Sequence, residues 1–126
     1  MARILFCEDE AQIRKLIVVA MRATPHTIEI TTNGRDGLAA MERMAPDLVV
    51  TDLAMPEMTG FALADAIRAQ PSIRHVPIMF ITASVQRGEV AQFASRGAAG
   101  YLPKPFSPRE LREKIDALLA GAGIAP

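Results

Sequence analysis

An α/β fold built on a central parallel sheet is predicted by three features of this chain. Apolar runs of strand length recur at residues 4–7, 48–51 and 78–81 without polar alternation, as strands covered on both faces require. Stretches with helical spacing separate them. The 126 residues, half of them apolar, suffice for one domain with a substantial core and are too few for two.

Each element has its own signature. After the first run, Ile13, Leu16, Ile17, Ala20 and Met21 lie on one helix face. Residues 27–31 alternate apolar and polar, which suits an edge strand. Asn33 and Gly34 introduce a second helix carrying Leu38, Met41 and Ala45, and Pro46 follows it. The run at 48–51 leads to a helix with Leu63 and Ile67, and the run at 78–81 to a weakly patterned one with Val90, Phe93 and Ala94. Residues 98–102 are short and mixed, the second edge candidate. Ser107 as cap and Pro108 in the first turn open a last helix with Leu111, Ile115, Leu118 and Leu119 on its face.

Strict alternation of strand and helix implies right-handed crossovers and helices on both faces of the sheet. With the two weak strands at the edges, the order is 2-1-3-4-5, a flavodoxin-like doubly wound sheet of five strands with five helices. The first and third strands then meet at the switch point, where ligands sit outside the carboxyl ends of the strands. The domain is expected over residues 1–120, with 121–126 a flexible tail of small residues.

Composition excludes several classes of function. Fourteen acidic and fourteen basic residues cancel, so no basic face for nucleic acid or anionic membrane is advertised. The apolar stretches fall far short of a membrane span and the N-terminus carries no cleavage site, so a soluble, cytoplasmic protein is expected. Cys7 is the single cysteine, which leaves no internal disulfide, and its apolar surroundings mark it as a buried small hydrophobe.

Asp52 follows a buried apolar run at the point where a loop begins. Alone it would be read as a strand terminator. The ends of the other strands change that reading: the first ends in Glu8, Asp9, Glu10, the fourth in Thr82, Ala83, Ser84, and the fifth in Tyr101, Leu102, Pro103, Lys104, Pro105. Singly, Asp9 could cap a helix and Glu10 favour its positive end. Together they place acids, a hydroxyl and a lysine on one rim. Carboxylates about 4 Å apart repel by roughly 4 kcal/mol at an effective dielectric near 20, so such a cluster calls for a cation. An oxygen donor set suits Mg2+, which takes one or two carboxylates together with water and phosphate.

The segments LFCEDE, TDLAMPEMTG, ITAS and GYLPKPF, in this order and each at an expected strand end, resemble the receiver domain of two-component response regulators. The resemblance runs from Arg3 to about Ala120. It implies that Asp52 is the phosphoacceptor, taking a phosphoryl group from the phosphohistidine of a sensor histidine kinase or phosphotransfer protein. It implies Mg2+ held by Asp9, Asp52 and the backbone carbonyl of Ala54, with Glu8, where the family often has Asp, binding directly or through water. Lys104 would contact a phosphoryl oxygen, Thr82 would move to bond the phosphoryl group, and Tyr101 would turn inward as Thr82 leaves its place. Ala54 and Ser84 occupy the positions that tune dephosphorylation. The Lys104–Pro105 bond is a candidate for the cis isomer, which would aim the lysine at the site.

The resemblance further implies a stand-alone receiver of the chemotaxis-regulator kind, one that catalyses only its own phosphorylation and dephosphorylation. Its signal would leave by protein binding at the face of the fourth helix, fifth strand and fifth helix, where Val90, Phe93 and Tyr101 are candidates, with core packing the competing reading for Val90 and Phe93. Homodimerisation on phosphorylation is left open. The alternative is the receiver half of a larger regulator. A phosphatase of the haloacid dehalogenase type needs a second Asp two residues after the nucleophile, where this chain has Ala54. A flavin electron carrier needs a phosphate loop and ring-stacking aromatics, and this chain has no Trp, one Tyr and no Gly-rich loop after its first strand.

Overall fold

A computed structural model, describing residues 1–83 and 87–124, gives five strands and five helices in strict alternation. The strands are β1 (Arg3–Cys7), β2 (Thr27–Thr31), β3 (Leu48–Asp52), β4 (Ile78–Thr82) and β5 (Gly100–Pro103). The helices are α1 (Ala11–Arg22), α2 (Gly34–Met44), α3 (Gly60–Ala69), α4 (Arg87–Ser95) and α5 (Pro108–Gly121). The strands form one parallel sheet in the order β2-β1-β3-β4-β5. That is the expected flavodoxin-like arrangement, with β1 and β3 adjacent at the switch point.

The unalternating runs are explained by two separate cores. Because successive strand side chains point to opposite faces, Ile4, Phe6, Leu48, Val50, Met79 and Ile81 pack against α1 and α5 through Ile17, Met21, Leu111 and Ile115. Their neighbours Leu5, Cys7, Val49, Ile78 and Phe80 pack on the other face against Met41 of α2, Leu63 and Ile67 of α3 and Phe93 of α4. Burying both faces calls for apolar residues along the body of the central strands, and the buried polar residues Thr51, Asp52 and Thr82 fall at their carboxyl ends. The β2 residues are exposed or half-buried, as an edge position allows.

Helix ends follow the local chemistry. Asn33 caps α2 by accepting from Asp36 N–H at 2.8 Å, and Ala45 closes that helix in the left-handed region at φ 49°. Ser107 and Glu110 form a reciprocal capping box on α5, with Pro108 in its first turn. Gly121, where the sequence suggests a tail begins, is the last residue of α5, and Ile124 beyond it donates its N–H to Leu119 O at 2.9 Å and packs against the core. The Arg68 guanidinium ties the α3–β4 connection to the end of α4 by donating to the carbonyls of Arg74, Val76, Arg96 and Gly97. Among the described residues, no helix is long and apolar enough to cross a membrane.

Candidate functional site

Four parallel strands bring residues at or just beyond their carboxyl ends to the same rim: Glu8 after β1, Asp52 of β3, Thr82 of β4 and Lys104 after β5. Asp52 is the final residue of β3, and only 4% of it is exposed. Its Oδ1 accepts from Leu53 N–H at 2.8 Å, and its Oδ2 accepts from Lys104 Nζ at 3.0 Å. The loop after Asp52 turns back so closely that a Cβ on Gly60 would stand 2.2 Å from Asp52 O. Glycine is therefore required at the start of α3, and Gly60 N–H closes the turn on Leu53 O at 2.8 Å.

Beyond β1, Glu8 continues the pairing with β2 by donating its N–H to Thr31 O at 2.9 Å, and its side chain is fully buried. Glu8 Oε2 accepts from Glu10 N–H at 3.1 Å. Glu8 Oε1 has no hydrogen-bond partner; Lys104 Nζ approaches within 3.4 Å but without hydrogen-bond alignment. Burial, reinforced by the Asp52 charge, pushes the Glu8 carboxyl up to about 7 against the lowering effects of Glu10 N–H and Lys104. Asp9 and Glu10 are exposed. The N-cap of α1 is Glu10 and not Asp9, with no side-chain cap, so Asp9 does not serve the capping role it could have had singly. Arg14 instead steadies the loop by donating to the carbonyls of Asp9 and Glu8.

Lys104 follows β5, and the Lys104–Pro105 bond is cis. Its ammonium reaches Asp52 at 3.0 Å, Glu10 at 3.0 Å and Glu8 at 3.4 Å. Burial alone would depress the lysine, but these three carboxylates outweigh it and hold its pKa above the ordinary value. Thr82, at the end of β4, is nearly buried and donates from Oγ1 to Glu89 Oε2 at 3.3 Å. Asp52, Ala54, Thr82, Glu89 and Lys104 line one cleft of about 240 Å3.

The structure thus brings together Glu8, Asp9, Asp52, Lys104 and Thr82, and sets Ala54 on the cleft wall. Ser84 lies outside the described residues. Tyr101 is half-buried away from the cleft, its ring 5.3 Å from that of Phe93. Phe93 itself is 3% exposed and stacks on Phe80 at 5.1 Å, so it belongs to the core rather than to an exposed docking face. Glu89 is a cleft residue that the sequence did not single out. Its only signal is an acid in the first turn of a helix, which usually serves the helix dipole alone.

Carboxylate oxygens of Glu8, Asp9, Glu10 and Asp52 can all come within 4.8 Å of one another. Lys104 is the one cation seen in contact with them among the described residues. An all-oxygen set containing a buried oxygen without a partner fits a hard divalent cation.

The acidic cluster and the strand-end Asp52 thus stand at the switch point of a doubly wound sheet, with the Lys104 ammonium reaching over from the end of β5. The chain belongs to the response regulator receiver domain family, whose model matches residues 4–116. It is 34% identical over 119 residues to the chemotaxis protein CheY of Pseudomonas aeruginosa, covering 92% of this chain and 94% of that protein. It is 35% identical over 117 residues to the transcriptional regulatory protein RprY of Bacteroides fragilis, covering 93% of this chain but only 49% of RprY, about half its length. Among solved structures, the chemotaxis response regulator CheY4 of Vibrio cholerae superposes with a TM-score of 0.88 at 29% identity, covering 94% of this chain and 99% of that one.

Proposed function

We propose that this receiver accepts a phosphoryl group on Asp52 from the phosphohistidine of a sensor histidine kinase or phosphotransfer protein. An Asp52 carboxylate oxygen bonds to phosphorus, the phosphorus–nitrogen bond to the imidazole breaks, and the imidazole leaves with a proton from solvent. The product is an acyl phosphate. The observation that carries this reading is the position of Lys104 Nζ, 3.0 Å from Asp52 Oδ2 at the edge of a cleft large enough for a phosphoryl group. Phosphoryl transfer requires mainly positioning and charge stabilisation, and a fixed ammonium beside the nucleophile supplies both.

Asp9, Asp52, the Ala54 carbonyl and Glu8 would hold Mg2+, with Glu8 acting directly or through water. The ion would neutralise charge on the transferring group and offset repulsion among the acids. Lys104 would bond one phosphoryl oxygen and Thr82 another. Thr82 lies at the end of β4, and Tyr101 lies on neighbouring β5, where the strand register pairs it with Phe80. Movement of the Thr82 hydroxyl toward the phosphoryl group would free space for the Tyr101 ring, biasing the surface of α4, β5 and α5 that a downstream protein reads. Ala54 and Ser84 would tune the lifetime of the acyl phosphate. The protein would work in the cytoplasm, catalysing only its own phosphorylation and dephosphorylation.

Incubation with acetyl phosphate and Mg2+ tests the central claim by intact mass. The protein gains one phosphoryl group and Asp52→Asn gains none; a protein that gains no mass contradicts it. A second reading, a receiver joined to an output domain, is favoured by the match to RprY, of which this chain spans about half. The flanking coding sequence decides between the two.

A further inference from the structure

The cleft contains a charged group that phosphoryl acceptance by Asp52 leaves unused. Glu89 stands in the first turn of α4. It lines the cleft shared by Asp52 and Lys104, and its Oε2 accepts a hydrogen bond from the Thr82 hydroxyl at 3.3 Å. A threonine hydroxyl has one proton to donate. While that proton points to Glu89 Oε2, it cannot serve an oxygen of a phosphoryl group on Asp52.

We propose that Glu89 is an anionic latch: its carboxylate holds the Thr82 hydroxyl in the unphosphorylated protein and competes with the phosphoryl group for that hydroxyl. The proposal rests on Asp52 being the phosphoacceptor. Two effects act in the same direction. The hydrogen bond to Glu89 must be exchanged for one to the phosphoryl group, so part of the new bond's value is lost. The carboxylate also shares a cleft of about 240 Å3 with an incoming group of like charge, and partial burial weakens solvent screening between them. The Lys104 ammonium is in contact with Asp52, Glu10 and Glu8, so its charge is spent chiefly on those three carboxylates.

The latch also gives the chemistry a mechanical output. Glu89 belongs to α4, the helix that carries Phe93 into the aromatic cluster beside Tyr101. Expelling its carboxylate shifts the first turn of α4 in the same event that draws Thr82 toward the phosphoryl group. Glu89 acts through Thr82 and is therefore a positioning residue. Its presence raises the phosphodonor concentration needed to switch the protein.

The test measures affinity for beryllofluoride, a phosphoryl analogue, by calorimetry in Mg2+. It uses the full chain, Glu89→Gln and Glu89→Ala, each also combined with Thr82→Ala. Acetyl phosphate labelling followed by intact mass runs in parallel. Loss of the latch is expected to tighten beryllofluoride binding and lower the half-saturating acetyl phosphate roughly three- to tenfold. Glu89→Gln keeps an acceptor for Thr82 and removes only the charge, so it should give the smaller gain. In the Thr82→Ala background the two Glu89 variants should become equal. A glutamate that merely stabilised α4 would change the melting temperature and leave both affinities unaltered. Unchanged or weaker binding in both Glu89 variants, with the unsubstituted protein binding normally, overturns the latch alone. If the unsubstituted protein neither binds beryllofluoride nor gains mass, the phosphoacceptor reading and the latch both fail.

Discussion

Lys104 Nζ and Asp52 Oδ2 lie 3.0 Å apart although the residues are 52 positions apart in the chain. Neither strand end alone makes this contact. It arises although β4 separates β3 from β5 in the sheet, because the lysine side chain reaches back over the rim. The pair joins the nucleophile candidate to the one ammonium that also faces Glu8 and Glu10.

Replacing Lys104 by alanine should therefore affect both stability and chemistry. A buried carboxylate that loses its cation is strongly penalised, so the metal-free protein should lose about 3 kcal/mol in urea unfolding with chelator present. Phosphorylation by acetyl phosphate should slow by about a hundredfold, as removal of a preorganised charge partner does elsewhere. Unaltered values for both quantities would mean that the contact is not functional.

Gly60 should tolerate no side chain. The Cβ of Gly60→Ala would stand 2.2 Å from Asp52 O and 3.0 Å from Leu53 Cα, both backbone atoms that cannot rotate away. We expect a loss of about 2 kcal/mol or more and slower labelling of Asp52, because relief of the clash moves the end of β3. Matching urea midpoints for the variant and the unsubstituted protein would contradict the close approach.

Cys7 should behave as part of the core and not as a reactive thiol. Burial pushes it up to about 11, with hydrogen bonds from Thr31 and Thr51 opposing only part of the rise. The folded pKa thus exceeds the unfolded value of about 8.5. Its contribution to stability is complete below about pH 8.5 and disappears as the pH rises toward 11. A disulfide reagent at pH 8 should label the urea-unfolded chain rapidly and the folded chain slowly. The urea midpoint should fall less steeply above pH 9 in Cys7→Ala than in the unsubstituted protein.

Ala54 lines the cleft two residues after Asp52 and has no polar side-chain atom with which to orient water. Ala54→Asn should change the rate at which the acyl phosphate decays without preventing its formation. Decay followed by intact mass after donor removal decides this, and equal half-lives would refute it.

The fold was legible because its main signals are local or statistical. Unbroken apolar runs report strands buried on both faces, as β1, β3 and β4 are. The alternating pattern of residues 27–31 marks the edge strand β2. The capping box at Ser107 depends on residues three apart, so it too is readable in order. Phe93 was ambiguous because α4 has only a weak apolar face, and the rotation of the helix was settled by Phe61, Phe80 and Tyr101 packing around its ring.

By itself the sequence determined the strand order and the rim on which Glu8, Asp9, Asp52, Thr82 and Lys104 meet, since each follows from periodicity and from which residues end each strand, while its motif segments carried the resemblance to the receiver family. Tertiary structure decided the environment of those residues. It buried Glu8 completely while leaving Asp9 and Glu10 exposed, gave Lys104 three carboxylates to share, and brought Glu89 to Thr82. Burial and charge pairing depend on what neighbouring elements cover and how each helix is turned, and these properties exist only once the distant segments have packed together.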